Sequence, residues 1–117
     1  MRRWAMVCGL IAGLAGPVAA EDWQALDAAA ILQALTGRSL AYEDGARQDF
    51  RDGGGTTYRA GAGESEGRWR AESGRYCSVW PPSERWSCYA LERDTETGRL
   101  RFVGSAGDIT VGAYQEK

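Results

Sequence analysis

Short stretches in which hydrophobic and polar residues alternate cover most of the chain from residue 39 onward. Alternation with a period of two is typical of β-strands that bury one face. Turn-forming pairs such as Asp44-Gly45 and Ser73-Gly74 separate these stretches. About eight strands are predicted, at residues 39–43, 47–52, 56–60, 67–72, 75–80, 85–93, 99–104 and 109–114. The pattern indicates a mainly β protein, an antiparallel up-and-down meander that forms a small lipocalin-like barrel or a sandwich.

Apolar side chains recur at helical spacing in one segment, at Ala28, Ile31, Leu32 and Leu35. Asp27 is a good N-cap residue for this segment, and Gly37 offers the left-handed conformation that ends many helices. We therefore predict one short N-terminal helix over residues 27–36. Its apolar stripe either packs on the sheet or closes one end of a barrel.

The first twenty residues have the pattern of a secretory signal peptide. Arg2 and Arg3 precede an apolar stretch, and Ala19 and Ala20 end a small-residue cleavage site. The apolar run is too short to span a bilayer, which needs about 20 residues. The pattern therefore predicts a signal peptide at 1–20, a single β-rich domain at 21–117 and no transmembrane anchor after cleavage. The expected location is the periplasm or the outside of the cell.

Two cysteines, Cys77 and Cys88, lie on neighbouring predicted strands. Folding the chain at Trp80-Pro81-Pro82-Ser83 places the two residues opposite each other, with Cβ atoms about 4.5–5.5 Å apart. This separation is close to what a disulfide requires. We predict a structural disulfide, with two free buried thiols as the alternative. The neighbouring Ser73-Gly74 turn adds a third strand.

The same pairing assigns one aromatic and apolar face to the core: Trp69, Ala71, Tyr76, Ser78, Trp80, Tyr89 and Leu91. Two interpretations of its aromatic members are open. They fill the core of a small sheet, or Trp69, Tyr76, Trp80 and Tyr89 line a pocket for a small amphipathic ligand.

In the first hairpin, apolar matching predicts Leu40 opposite Phe50 across a three-residue turn, Asp44-Gly45-Ala46. A two-residue turn would instead place Leu40 opposite Asp49.

Composition argues against most catalytic chemistry. The chain has no histidine, which removes Ser-His-Asp and Cys-His arrangements and the commonest metal ligand. With 14 basic and 16 acidic residues, the formal net charge is −2, and no basic cluster favours nucleic acid. The glycine-rich segment 61–66 contains two glutamates that would repel phosphate, so we interpret it as a turn. We expect no catalytic residues, no metal and no cofactor.

Several short motifs follow the predicted helix in a fixed order: Leu35-Thr36-Gly37-Arg38-Ser39-Leu40, Gly55-Thr56-Thr57-Tyr58, Gly67-Arg68-Trp69, Tyr76-Cys77 and Cys88-Tyr89. This order resembles a family of small exported bacterial proteins with the pattern L-x-G-N-T, D-G-T, G-x-W, a Cys-containing strand and a C-Y strand. Arg38-Ser39 departs from the Asn-Thr form, and Gly54-Gly55 replaces Asp-Gly. The resemblance implies the same β fold and disulfide. It implies no reaction, because the function of that family is unknown.

Three functions are compatible with these observations. The first is a monomeric, non-enzymatic periplasmic or secreted protein that acts through protein or envelope contacts. The second is a lipocalin-like carrier of a small amphipathic ligand. The third is an inhibitor of an exogenous hydrolase such as lysozyme, whose basic cleft would require an acidic exposed loop, for which Glu64-Ser65-Glu66 is the candidate.

Overall fold

The computed structural model describes residues 21–115, and the predicted signal peptide lies outside them. Nine β-strands and one α-helix occur in this part of the chain. Their bounds are β1 Trp23–Ala25, α1 Ala28–Leu35, β2 Arg38–Tyr42, β3 Arg47–Phe50, β4 Gly55–Ala60, β5 Gly63–Glu72, β6 Arg75–Val79, β7 Ser87–Asp94, β8 Leu100–Gly104 and β9 Ile109–Tyr114.

Strands β2 to β9 form a closed barrel. Each strand pairs antiparallel with the next one in the chain, and β9 pairs back with β2. The predicted up-and-down meander of eight strands is therefore confirmed, and it closes as a barrel rather than as a sandwich. Closure leaves none of these eight strands as a free edge.

Strand β1 is an addition that the sequence pattern did not predict. It pairs with the end of β7, with Trp23 opposite Asp94, while β6 pairs with the beginning of β7. Asp94 is fully buried, and its carboxylate accepts hydrogen bonds from the backbone N–H of Glu96 at 3.0 Å and of Asp22 at 3.3 Å. A strand of three residues is too short to show an alternating pattern.

The segment 61–66 is mostly strand, so its interpretation as a turn was wrong. Ala60 pairs with Gly63, and the turn therefore contains only two residues. Glu64 forms an ion pair with Arg59 at 3.1 Å, and Glu66 forms one with Arg51 at 3.0 Å. These outward-facing ion pairs stabilise an extended conformation. The glycine and charge content of the segment had indicated a turn instead. The acidic loop required for a lysozyme inhibitor is thus a strand whose glutamates are ion-paired.

The register predicted for the first hairpin was also wrong. Leu40 lies opposite Gln48, neither opposite Phe50 nor opposite Asp49. The connection does contain three residues, but they are 43–45, because the N–H of Tyr42 donates to the carbonyl of Ala46 at 2.8 Å. Leu40 and Phe50 nevertheless both face the interior, since a shift of two residues keeps each side chain on the same face.

Helix α1 closes one end of the barrel, the end at which β2 begins. Asp27 caps it, because its carboxylate accepts a hydrogen bond from the N–H of Ala30 at 2.9 Å. Gly37 follows with a φ of 74°, as the sequence predicted. Ile31, Ala34 and Leu35 are buried in the same core cluster as the barrel interior.

The three-strand unit around the cysteines has the predicted register. Cys77 is disulfide-bonded to Cys88, and the two residues lie directly opposite each other on β6 and β7. Trp69 lies opposite Ser78, and Tyr76 lies opposite Tyr89. The predicted strand 85–93 begins two residues later, at Ser87, since the connection after β6 extends through Trp86. Its first part is a turn in which the N–H of Ser83 donates to the carbonyl of Trp80 at 3.0 Å.

Candidate ligand site in the mouth of the barrel

The end of the barrel opposite α1 opens into a cavity of about 430 Å³. Because the chain runs up and down, four connections meet at this end: β2–β3, β4–β5, β6–β7 and β8–β9. We call this space the mouth cavity. Its volume lies in the range of about 300–1,000 Å³ that is usual for small-molecule sites.

Six aromatic side chains line the mouth cavity: Tyr42, Tyr58, Tyr76, Trp80, Tyr89 and Phe102. Phe102 is the centre of the group, with ring-centroid distances of 5.0 Å to Tyr76 and 6.0 Å to Tyr42, both edge to face. Tyr58 meets Trp80 edge to face at 6.1 Å. Such contacts fix the rings relative to one another.

The four aromatic residues predicted to form a pocket do not all lie on it. Tyr76, Trp80 and Tyr89 line the mouth cavity, whereas Trp69 lies behind Tyr76 in the core. The Trp69 ring is 5.7 Å from that of Phe50, and its Nε1–H donates to the carbonyl of Arg51 at 3.1 Å. Trp69 and Tyr76 are thus both members of the buried core cluster, and Tyr76, Trp80 and Tyr89 border the cavity.

A buried amide connects the tyrosines. Gln48 is 5 % exposed, and its Oε1 accepts a hydrogen bond from the hydroxyl of Tyr42 at 2.6 Å. Its Nε2 donates to the hydroxyl of Thr56 at 2.9 Å and to that of Tyr76 at 3.2 Å. The amide thus has a partner for its oxygen and for both of its hydrogens, as a buried polar group requires.

Burial raises the pKa of three tyrosines of the cavity, Tyr42, Tyr58 and Tyr76. Burial raises the pKa of Tyr76 to about 12, although hydrogen bonds with Ser78 and Gln48 oppose the shift. The pKa of Tyr42 is also raised, first by burial and then by Tyr76, Tyr58 and Asp44. Burial and Asp44 raise the pKa of Tyr58 in the same way.

A glycine on β5 makes room for the indole of Trp80. A Cβ atom on Gly67 would lie 2.6 Å from Cε3 of Trp80 and 2.6 Å from the carbonyl oxygen of Val79. The ring therefore occupies the inward position that a side chain at 67 would take. Its Nε1–H donates to the hydroxyl of Ser78 at 3.2 Å. This contact gives the Gly67-Arg68-Trp69 motif a physical reason in this chain.

Two exposed carboxylates stand at the rim of the cavity, Asp44 on the β2–β3 connection and Asp108 on the β8–β9 connection. Asp44 Oδ1 accepts a hydrogen bond from the N–H of Ala46 at 2.9 Å, which fixes the turn. The carboxylate of Asp108 lies over Gly104, where a Cβ atom would collide with it. Among the described residues that line the cavity, none is an arginine or a lysine.

Sequence reasoning missed half of the aromatic lining and its central amide: Tyr42, Gln48, Tyr58 and Phe102. Each faces inward at an alternate position of its strand, two residues from a buried neighbour such as Leu40 or Phe50. That alternation was the available signal. It marks inward positions, but it does not tell which of them surround a filled core and which surround an open space.

Within residues 21–115, no helix is long and apolar enough to cross a membrane. The same residues contain no group of three or more Cys, Asp or Glu side chains that could hold a metal ion. Comparison of the chain with protein-family models, curated proteins and solved structures gave no match.

Proposed function

We propose that this protein is a non-enzymatic binding protein, located in the periplasm or secreted, that holds a small amphipathic molecule in the mouth cavity. The observation that carries the proposal is the cavity itself, about 430 Å³ in volume, open to solvent at one end of a closed barrel. Apolar walls with a few fixed polar groups are typical of ligand sites.

The walls explain why the space does not collapse. Rings such as Tyr42 and Tyr76 are hydrogen-bonded through Gln48 and packed edge to face against Phe102. They cannot rotate into the cavity without breaking a buried hydrogen bond, which costs about 1–3 kcal/mol for each unsatisfied group. The site is thus formed before any ligand arrives, which reduces the entropy cost of binding.

The cysteine pair and the signal-peptide pattern support the proposed location. A disulfide between Cys77 and Cys88 fits an oxidising compartment outside the cytoplasm. Residues 1–20 have the composition of a secretory signal peptide. Of the three functions compatible with the sequence, the carrier is the one that a cavity favours. A purely protein-binding role does not require an open barrel interior.

The proposal is tested with protein recovered from outside the cytoplasm. Native mass spectrometry should detect a bound small molecule that is lost on denaturation. The neutral fluorescent probe N-phenylnaphthylamine should bind with increased emission and should quench tryptophan fluorescence. Gly67→Ala displaces Trp80 and should weaken probe binding by about tenfold.

Gly63→Ala is the matched control on the same strand, because a Cβ there meets nothing closer than the Ala60 carbonyl at 3.4 Å. It should bind the probe as the wild type does. If Gly67→Ala fails to fold, Ser65→Phe serves instead, since Ser65 is exposed on the cavity wall and a ring there fills the opening. Absence of any bound molecule together with absence of probe binding would overturn the proposal.

A further inference from the structure

We propose that the mouth cavity selects a ligand with a positive charge, an ammonium or quaternary ammonium group on an apolar body. This inference rests on the proposed function, because it names the chemical class of the molecule that the cavity would hold. Two independent features of the cavity carry it, its aromatic surface and the charges at its rim, and its hydrogen-bond acceptors are compatible with it.

Three hydrogen-bond donors in the cavity have partners within the protein. The hydroxyl of Tyr42 donates to Gln48 at 2.6 Å, and Nε2 of Gln48 donates to the hydroxyl of Tyr76 at 3.2 Å. Nε1–H of Trp80 donates to Ser78 at 3.2 Å. The hydroxyl oxygens of this group keep lone pairs that can accept a hydrogen bond from a ligand. A ligand group that donates hydrogen bonds fits this arrangement.

The aromatic lining favours a cation. The faces of tyrosine and tryptophan rings are electronegative, and a cation within about 6 Å of the ring centroid is attracted to them. One wall consists of Phe102, Tyr76 and Tyr89. The ring centroid of Phe102 lies 5.0 Å from that of Tyr76 and 6.5 Å from that of Tyr89. Tyr58 and Trp80 form another wall. A cation that enters between these walls meets several rings at once.

The rim adds negative charge without a compensating cation among the lining residues that the structure describes. Asp44 and Asp108 stand on two different connections at the mouth. Burial is the largest cause of the raised pKa of Tyr42 and of Tyr58, and the negative charge of Asp44 adds to it at both residues. Arg59, on the outer face of β4, is already paired with Asp49 at 2.9 Å and with Glu64 at 3.1 Å. Its charge is therefore balanced locally.

Three small molecules with the same phenyl body distinguish charge from shape: phenethylammonium, the neutral 2-phenylethanol and the anionic phenylpropanoate. Each is titrated against the protein with bound N-phenylnaphthylamine, and displacement of the probe gives its affinity. The ammonium compound should bind about tenfold more tightly than the alcohol, because cation–π and ion-pair contributions add. The anion should bind more weakly than the alcohol.

Two conservative variants connect this preference to the rim. Asp44→Asn keeps the acceptor for the Ala46 N–H, so the turn is preserved while the charge is removed. Asp44→Asn and Asp108→Asn should each weaken phenethylammonium binding by about threefold and leave 2-phenylethanol binding unchanged. Asp52→Asn is the matched control, because Asp52 is an exposed carboxylate on the β3–β4 connection at the opposite end of the barrel.

The outcomes separate the two proposals. If the alcohol binds as tightly as the ammonium compound, or if none of the three displaces a bound probe, the charge selectivity is overturned and the binding function stands. If Asp52→Asn weakens phenethylammonium binding as much as the rim variants do, the effect comes from net charge and the rim assignment is overturned. If neither the probe nor any of the three molecules binds and no ligand copurifies, the proposed function itself fails.

Discussion

The two ends of the barrel interior are built from different kinds of side chain. At the end closed by α1, the interior is mostly aliphatic and almost completely buried, with Leu35, Leu40 and Leu100 all at 0 % exposure. At the mouth, the interior consists of tyrosines around Gln48 and a cavity of about 430 Å³. We call the first group the floor and the second the mouth.

This difference shows how a small barrel can be both stable and hollow. Aliphatic side chains fill space without hydrogen-bonding requirements, so the floor can contribute the buried apolar area on which stability depends. Because hydrogen bonds are directional, the hydrogen-bonded rings keep their orientation and leave open a space that aliphatic side chains would fill. The floor thus stabilises the folded barrel, and this stabilisation offsets the cost of keeping a cavity open at the mouth.

The largest effect is expected at the floor. Leu35→Ala removes a fully buried side chain of α1 and leaves a cavity, so the free energy of unfolding should fall by about 2–5 kcal/mol in urea denaturation. Leu32→Ala on the same helix is the control, because Leu32 is 47 % exposed and its change should stay within about 0.5 kcal/mol. Equal losses in the two variants would contradict the buried face assigned to the helix.

A smaller effect is expected at the amide of the mouth. Gln48→Leu leaves the hydroxyl of Tyr42 without its described acceptor and removes the amide donor from Thr56 and Tyr76, which should cost about 1–3 kcal/mol in the same urea experiment. Gln24→Leu, the same change at an exposed position of β1, should be nearly neutral. A gain in stability for Gln48→Leu would show that the network is not needed to hold the rings.

The smallest effect is expected from alkaline pH. The pKa of Tyr76 is about 12 in the folded protein because of burial, whereas a tyrosine in the unfolded chain titrates near about 10. Between these values the unfolded state has lost a proton that the folded state keeps. The stabilising contribution is therefore complete below about pH 10 and is lost as the pH rises towards the folded pKa.

Tyr76→Phe removes this contribution. Between about pH 10 and 11, the wild type should lose about 1 kcal/mol more stability than Tyr76→Phe, measured by urea denaturation at each pH. Between about pH 7 and 9 the difference between the two proteins should stay constant, which provides the internal control. Parallel losses above pH 10 would mean that Tyr76 ionises as freely in the folded state as in the unfolded state.

The fold was predictable to a large extent because its determinants are local. Alternation, turn residues and the spacing of Cys77 and Cys88 specify the eight strands of the barrel and one register, and the structure agrees with both, although the predicted turn at 61–66 is mostly strand. The first hairpin shows where such reasoning ends. Matching Leu40 with Phe50 assumes that apolar residues face each other directly, but tilted strands allow inward residues to be neighbours without being paired.

The candidate site was predictable only in part. Three of the four proposed aromatic residues face the cavity: the disulfide register places Tyr76 and Tyr89 on the inner face, and Trp80 follows the end of β6 directly. Trp69 also faces the barrel interior, but it lies nearer the closed end. The alternation of a strand predicts which side chains face inward, and it does not predict how far along the barrel axis they lie. The rim carboxylates Asp44 and Asp108 come together only when the barrel closes. No local pattern on either connection could have indicated this.

The disulfide crosses the wall of the mouth cavity itself. Strands β6 and β7 share three ladder pairs, Tyr76–Tyr89, Cys77–Cys88 and Ser78–Ser87, with the covalent bond in the middle. Tyr76, Ser78 and Tyr89 are all part of the cavity lining. The disulfide thereby holds β6 and β7 together beside the cavity, and reduction would leave that seam to three residue pairs alone.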